Sequence, residues 1–382
     1  MVGPSSQISK ILLAVLLLVI IFYIYMDVQL YLRIQNYSLE RTFHGKQPEE
    51  QSSTSTNYVT SISILANNLN QSEKLKYSDV TWLGCNITPL CDVTVKALLL
   101  DHTNHYLFSP GATILDNLLS ISESHLWITP NLISTFHVFV AIIAGKCVSS
   151  DSLVSRRIGV ILFEIRTFLD DLDGHVARAR KHIKGERSEI GTSGYYIDGL
   201  CDALGCISLL IGIFVYLKNN PPRRGYVQLQ AILPTDTKST KHINDGVIYK
   251  AKVTTKKVAR TVGCFTAQLL LSSTLWNRYI AVYQDMLERD HNITYVQYLK
   301  QLITFKSSLF FCVAWLWRVV NVHNMMHILL LSMFCDKLWE FLRSVQYIGF
   351  IILICVICIT EMHILEVQNY IFNNLTGYNL PL

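Results

Sequence analysis

Long apolar runs alternate with polar connections along this chain, and the runs approach the length of bilayer crossings. Residues 11–26 are uninterruptedly apolar, preceded by Lys10 and closed by Asp27. A helix needs about 20 apolar residues to cross a hydrocarbon core of ~30 Å. The first run is short for this, but Ile8, Ser9 and a snorkelling Lys10 can extend it. No small-x-small cleavage site follows, because Phe22, Tyr23 and Tyr25 are bulky, so a signal anchor is expected rather than a cleaved signal peptide. Further apolar segments fall at 127–146, 158–169, 194–217, 262–283, 307–334 and 348–359. The run 307–334 exceeds one simple span and is too short for two, which predicts one long or broken helix. Pro130 is placed for the first turn of the helix that follows it.

The expected fold is therefore all-α: a polytopic membrane protein with an N-terminal signal-anchor helix and a six-helix transmembrane core. The expected divisions are a cytoplasmic tip and anchor (1–27), a lumenal stem (28–127), the core (128–365) and a lumenal tail (366–382). The stem has a Gln/Ser/Thr-rich centre at 47–60. Its later part, at 95–100 and 114–121, has the apolar spacing of an amphipathic helix lying along a membrane surface.

Composition agrees. The chain has 382 residues, of which 51% are hydrophobic and only 16% charged, against about a quarter charged in soluble domains. Mean hydropathy is +0.31. The cysteines form no zinc-like pattern: Cys355 and Cys358 sit in an apolar run, where helix packing is the simpler account. Cys85 and Cys91 lie in a polar segment and would be able to pair in a lumenal environment.

Charge placement sets the sidedness. The stretch 218–260 holds Lys218, Arg223, Arg224, Lys238, Lys241, Lys250, Lys252, Lys256, Lys257 and Arg260 against Asp236 and Asp245. Such a loop marks the cytoplasmic face of a membrane better than it marks nucleic-acid binding, and no nucleic-acid partner is expected. With the N-terminus in the cytoplasm, one anchor and six core spans put the Asn-x-Ser/Thr acceptors Asn36, Asn70, Asn86, Asn292 and Asn374 in the lumen. The same count puts the Arg156–Arg157 loop and the basic loop in the cytoplasm.

The chemistry is concentrated between two apolar segments. Asp170 and Asp173 are three residues apart, Asp198 and Asp202 four, so each pair shares a helix face. A carboxylate at the centre of a membrane helix costs about 2.5–3.5 kcal/mol, and four gathered at helix ends form a site for hard divalent cations. Gly174, Gly194 and Gly199 remove side chains where a ligand must come close, and Arg178 offers a fork suited to phosphate. By the topology above, this site faces the lumen.

These residues, Asp170-x-x-Asp173-Gly174-x-x-Ala177-Arg178 followed by Gly194-x-x-x-Asp198-x-x-x-Asp202, resemble the signature of the CDP-alcohol phosphotransferase family. The gap from Ala179 to Ser193 is fifteen residues where the family usually has about eight, which is similar to the ceramide phosphoethanolamine synthase branch. The resemblance implies transfer of a phosphoalcohol from a CDP-alcohol to a lipid hydroxyl with release of CMP. It implies CDP-ethanolamine as donor, ceramide as acceptor, a Golgi membrane and Mn²⁺, with Mg²⁺ equally compatible with the carboxylates. Asp170, Asp173 and Asp198 would hold two ions. Asp202 would be the general base or complete the metal shell. Gly174, Ala177, Arg178, Gly194 and Asn131, of a Pro-Asn pair like that of the family's first core helix, would line the substrate site. A homodimer is a family expectation.

Several residues have two readings. Arg180, Lys181, Lys184 and Arg187 either reach diphosphate or the membrane surface, or form a solvated turn. His323 and His327 either bind zinc or substrate, or make buried polar contacts, the simpler account. Arg318 reaches a phosphate or a helix carbonyl, and His175 is close enough to the motif to touch ligand. Two rival functions are a phosphotransferase acting on diacylglycerol and a cation transporter. The latter would spread polar residues through the membrane depth.

Overall fold

A computed structural model describes residues 4–36, 93–123, 127–181, 192–227, 248–288 and 294–372. Its helices are α1 (Pro4–Asn36), α2 (Val95–Leu99), α3 (Ser109–Leu119), α4 (Pro130–Val148), α5 (Leu153–Arg180), α6 (Ser193–Asn219), α7 (Thr255–Leu287), α8 (Tyr295–Lys306), α9 (Ser308–Val320), α10 (Val322–Phe334) and α11 (Leu338–Phe372). A π-helical turn, Asn104–Phe108, joins α2 to α3. The all-α expectation holds, with one addition in the basic loop. There β1 (Arg223–Val227) and β2 (Ile248–Lys252) form an antiparallel ribbon, Arg223 opposite Lys252 and Tyr226 opposite Tyr249.

The helix starts are written in the sequence. Thr129 accepts from the Leu132 N–H ahead of Pro130, and Thr192 accepts from Tyr195 at the start of α6. Thr294 and Gln297 complete a capping box on α8. Each satisfies N–H groups that the first turn leaves without partners. The run 307–334 is a broken helix. Asn321, fully buried, ends α9 and caps α10 by accepting from Asn324 N–H at 2.8 Å.

Among the described residues, five helical stretches are long and apolar enough to cross a membrane: Leu13–Gln35, Pro130–Val148, Ser193–Asn219, Ser308–Phe334 and Leu338–Phe372. α5 and α7 are of comparable length but more polar, and they turn much of that polarity inward. Arg156, Arg166 and Asp173 of α5 are buried, as are Thr261, Gln268 and Ser272 of α7. The chain is a multi-pass membrane protein, with large apolar side chains such as Phe139, Ile207 and Ile351 on its outer faces.

The two larger of three apolar clusters among the described residues hold most of the bundle. One joins Val148, Phe163, Leu209, Ile213, Phe265 and Leu329 across α4, α5, α6, α7 and α10. At its centre α4 and α6 touch backbone to backbone. A Cβ on Gly145 would come within 2.6 Å of the Ser208 carbonyl, and one on Gly212 would run into the Gly145 carbonyl. Small residues at such crossings allow close helix contact where lipid offers no hydrophobic drive. The second cluster joins Ile34, Leu98, Tyr279, Phe310, Trp317 and Val356 across α1, α2, α7, α9 and α11.

Two sequence expectations shift here. The helix α1 continues past Asp27, which is buried inside the bundle instead of closing a lipid-facing anchor. Residues 95–100 do not lie along a surface: Val95, Leu98, Leu99 and Leu100 are buried against α7 and α9. The apolar face that looked interfacial is covered by protein.

Candidate metal centre

Three helices deliver this centre: the N-terminal half of α4, the C-terminal half of α5 and the start of α6. One ligand atom from each of His137, Asp170, Asp173 and Asp198 lies within 4.8 Å of all the others. His137 is fully buried; its Nε2 stands 3.5 Å from Asp170 Oδ1 and 3.8 Å from Asp173 Oδ2, too far for hydrogen bonds. Ser134, one turn earlier on α4, donates its hydroxyl to Asp173 Oδ2 at 2.6 Å.

The donor set fits divalent cations. Asp170 Oδ1, Asp198 Oδ1 and both nitrogens of His137 are buried without hydrogen-bond partners. Crowded carboxylates left this way are costly unless a cation neutralises them. Carboxylate oxygens with a single imidazole suit Mn²⁺ or Mg²⁺ better than a soft metal.

Asp202, one turn beyond Asp198, is held differently. Its Oδ1 accepts from the buried guanidinium of Arg166, which also lies 4.0 Å from Asp170 Oδ1. Gly205 makes room for that guanidinium, since a Cβ there would stand 3.1 Å from Arg166 Nε. The structure therefore groups Asp170, Asp173 and Asp198 with His137, and sets Asp202 beside them on an arginine.

Sequence reasoning missed His137, Ser134 and Arg166. Their signal was present: Ser134 and His137 are polar at i, i+3 spacing on a largely apolar helix, and Arg166 is one turn before Asp170. Among the expected lining residues, Arg178 places a guanidinium nitrogen 3.1 Å from where a Gly174 Cβ would sit, and a Cβ on Gly194 would meet nothing within 4 Å. Ala177 is half-buried, and Asn131 is exposed one turn ahead of Ser134. The structure gives partners to two of the residues with double readings. Arg180 donates to the carbonyls of Ile121, Ser122 and Ile128, tying α5 to the preceding loop. Arg318 stacks over Tyr106 at 4.8 Å and faces Asp27 at 3.7 Å, not a helix carbonyl. His175 Nε2 lies 3.2 Å from Asp116 Oδ2. Lys184, Arg187, Cys85, Cys91, Asn70, Asn86, Asn292 and Asn374 lie outside the described residues, and Asn36 is the last residue of α1.

No solved structure matches the chain significantly. It is 59% identical to the ceramide phosphoethanolamine synthase of Drosophila melanogaster over the full length of both chains. A family model described as ceramide phosphoethanolamine synthase matches residues 1–374. With that match over nearly every residue and an acidic centre at the helix ends its motif specified, the chain belongs to the ceramide phosphoethanolamine synthase family.

Proposed function

We propose that the chain transfers phosphoethanolamine from CDP-ethanolamine to the primary hydroxyl of ceramide, releasing CMP, at a centre facing the Golgi lumen. The observation that carries this reading is the convergence of Asp170, Asp173 and Asp198, in the family's spacing, on one point with His137. In the reaction the ceramide oxygen bonds to the β-phosphorus as the phosphoanhydride bond to CMP breaks. Asp170, Asp173, Asp198 and His137 would hold two divalent ions, Mn²⁺ foremost, which when bound neutralise the diphosphate and the leaving CMP.

The remaining roles belong to the chain itself. Arg178 offers two parallel donors to a phosphate, and Gly174, Ala177, Gly194 and Asn131 shape the opening around it. Asp202 takes the proton of the ceramide hydroxyl, with Arg166 fixing the carboxylate in place. Ser134 orients Asp173. The sidedness rests on agreement between the basic ribbon loop, assigned to the cytoplasm, and the acceptors Asn36, Asn70, Asn86, Asn292 and Asn374, assigned to the lumen. We assign 1–27 to the tip and anchor, 28–127 to a stem whose last part packs on the core, 128–365 to the core and 366–382 to the tail, and expect two copies to pair.

The test is product analysis in microsomes given CDP-ethanolamine or CDP-choline, ceramide or diacylglycerol, and Mn²⁺ or Mg²⁺. Ceramide phosphoethanolamine that disappears with Asp198→Ala supports the reading. Phosphatidylethanolamine instead would retain the chemistry and reject the acceptor.

A further inference from the structure

The C-terminal part of α5 carries two carboxylates of the centre on a weakened stretch of helix. Gly174 follows Asp173 directly inside α5, where a glycine costs about 1 kcal/mol relative to alanine. In front, the carboxylates of the centre repel one another until a cation lies between them. What steadies the helix lies on its other side. His175 follows Asp173 by two residues, about 200° round the axis, and its Nε2 lies 3.2 Å from Asp116 Oδ2 of α3. A carboxylate only accepts, so this nitrogen donates, and Nδ1 faces Thr113 Oγ1 at 3.5 Å. Asp116 is buried, and its Oδ1 accepts the Ser122 N–H at 2.8 Å. Both oxygens thus have donors, as a buried carboxylate requires.

The same segment grips α5 at two further points. About two turns before His175 and on the same face, the Phe168 ring packs under Gly111, where a Cβ would come within 3.1 Å of it, and stands edge-on to Phe108 at 5.9 Å. Beyond His175, Arg180 donates to the Ile121 and Ser122 carbonyls in the loop after α3. Residues 108–122 therefore hold α5 from Phe168 to Arg180, and such a grip fixes the rotation of the helix. An oxygen about 5–6 Å from the axis moves about 1 Å for a turn of about 10°. Metal–ligand distances, by contrast, are set to within about 0.2 Å.

We propose that Asp116 and His175 are positioning residues for the metal centre, a role that rests on reading that centre as a divalent-cation site. By pinning α5 from behind, they hold Asp170 and Asp173 in the rotation at which these meet His137 and Asp198. A contact that only docked α3 would cost stability when lost and leave the affinity of the centre unchanged. One that sets the rotation of α5 must change the affinity.

The test measures Mn²⁺ binding directly, titrating the metal-free full-length protein in detergent and reading the free ion by its electron paramagnetic resonance signal. Asp116→Ala and His175→Ala should each raise the Kd about 10-fold. Combined, they should raise it no further than either alone, because both act through one contact. Asp116→Asn, which keeps an acceptor for the Ser122 N–H and an amide to pair with the imidazole, should recover most of the affinity. His175→Ala, at a partly exposed position, is the variant to read if Asp116→Ala does not fold. Losses that add in the double variant, or an unchanged Kd in folded His175→Ala whatever its unfolding temperature, would overturn the proposal and leave the cation site standing. A wild type that binds no Mn²⁺ would overturn the cation site and the proposal with it.

Discussion

Arg166 of α5 donates to Asp202 of α6, and this part-buried contact ties together the two helices that carry the carboxylates of the acidic centre. The guanidinium is 4% exposed and lies beneath Gly205, where a Cβ would crowd its Nε at 3.1 Å. Removing one partner of a buried ion pair costs more than removing both, because the survivor keeps its desolvation penalty. Arg166→Met should therefore lower stability by about 3–5 kcal/mol. Arg166→Met combined with Asp202→Asn should unfold at a higher temperature than Arg166→Met alone. Thermal unfolding in detergent reads both, and additive losses would show that the pair is not coupled.

His137 should behave as a ligand and not as a packing residue. Its ring is fully buried beside Asp170 and Asp173, and both nitrogens are without hydrogen-bond partners. His137→Gln removes an imidazole while keeping a polar group of similar reach. The Mn²⁺ concentration for half-maximal activity should rise about 10- to 100-fold, with much of the activity recovered at saturating metal. Loss of activity at every metal concentration, with folding intact, would argue for a different role.

The acidic motif was legible because chemistry needs carboxylates at helical spacing, and apolar surroundings make them conspicuous. Length alone left 307–334 as one long or broken helix, and the buried cap Asn321 is what breaks it. Ser134 and His137 were not singled out because a polar residue on an apolar helix usually signals a satisfied contact. What made them part of the site was the approach of α5, a tertiary fact. The same reason explains residues 95–100, whose apolar face suits a membrane surface or a protein surface equally well. Arg318 could not be assigned because its partner Asp27 lies on the anchor, far away in the chain.

That partnership makes the anchor part of the folded body. Asp27 accepts from Tyr106 Oη at 2.7 Å and Trp315 Nε1 at 2.9 Å, and lies 2.7 Å from His102 Nε2. Replacing residues 1–36 with an unrelated membrane anchor should abolish activity even when the chain still inserts. Asp27→Leu strands Arg318 in the interior and should cost about 3–5 kcal/mol, whereas Asp27→Asn keeps an acceptor and should cost less. Full activity with a foreign anchor would show that α1 serves only as a tether.

The crossing of α4 and α6 couples packing to metal binding. α4 brings Ser134 and His137 to the centre, α6 brings Asp198, and the two helices meet below it at Gly145 and Gly212. Gly212→Ala places a methyl group against the Gly145 carbonyl, so the helices must separate. Overpacking of this kind costs about 1–3 kcal/mol. It should also spread the ligand set, so that the Mn²⁺ requirement rises although no ligand has been changed. Gly263→Ala on α7 is the control, because a Cβ there would meet nothing within 4 Å. Metal titrations of the two variants decide the matter: equal requirements would show that the crossing does not set the geometry of the centre.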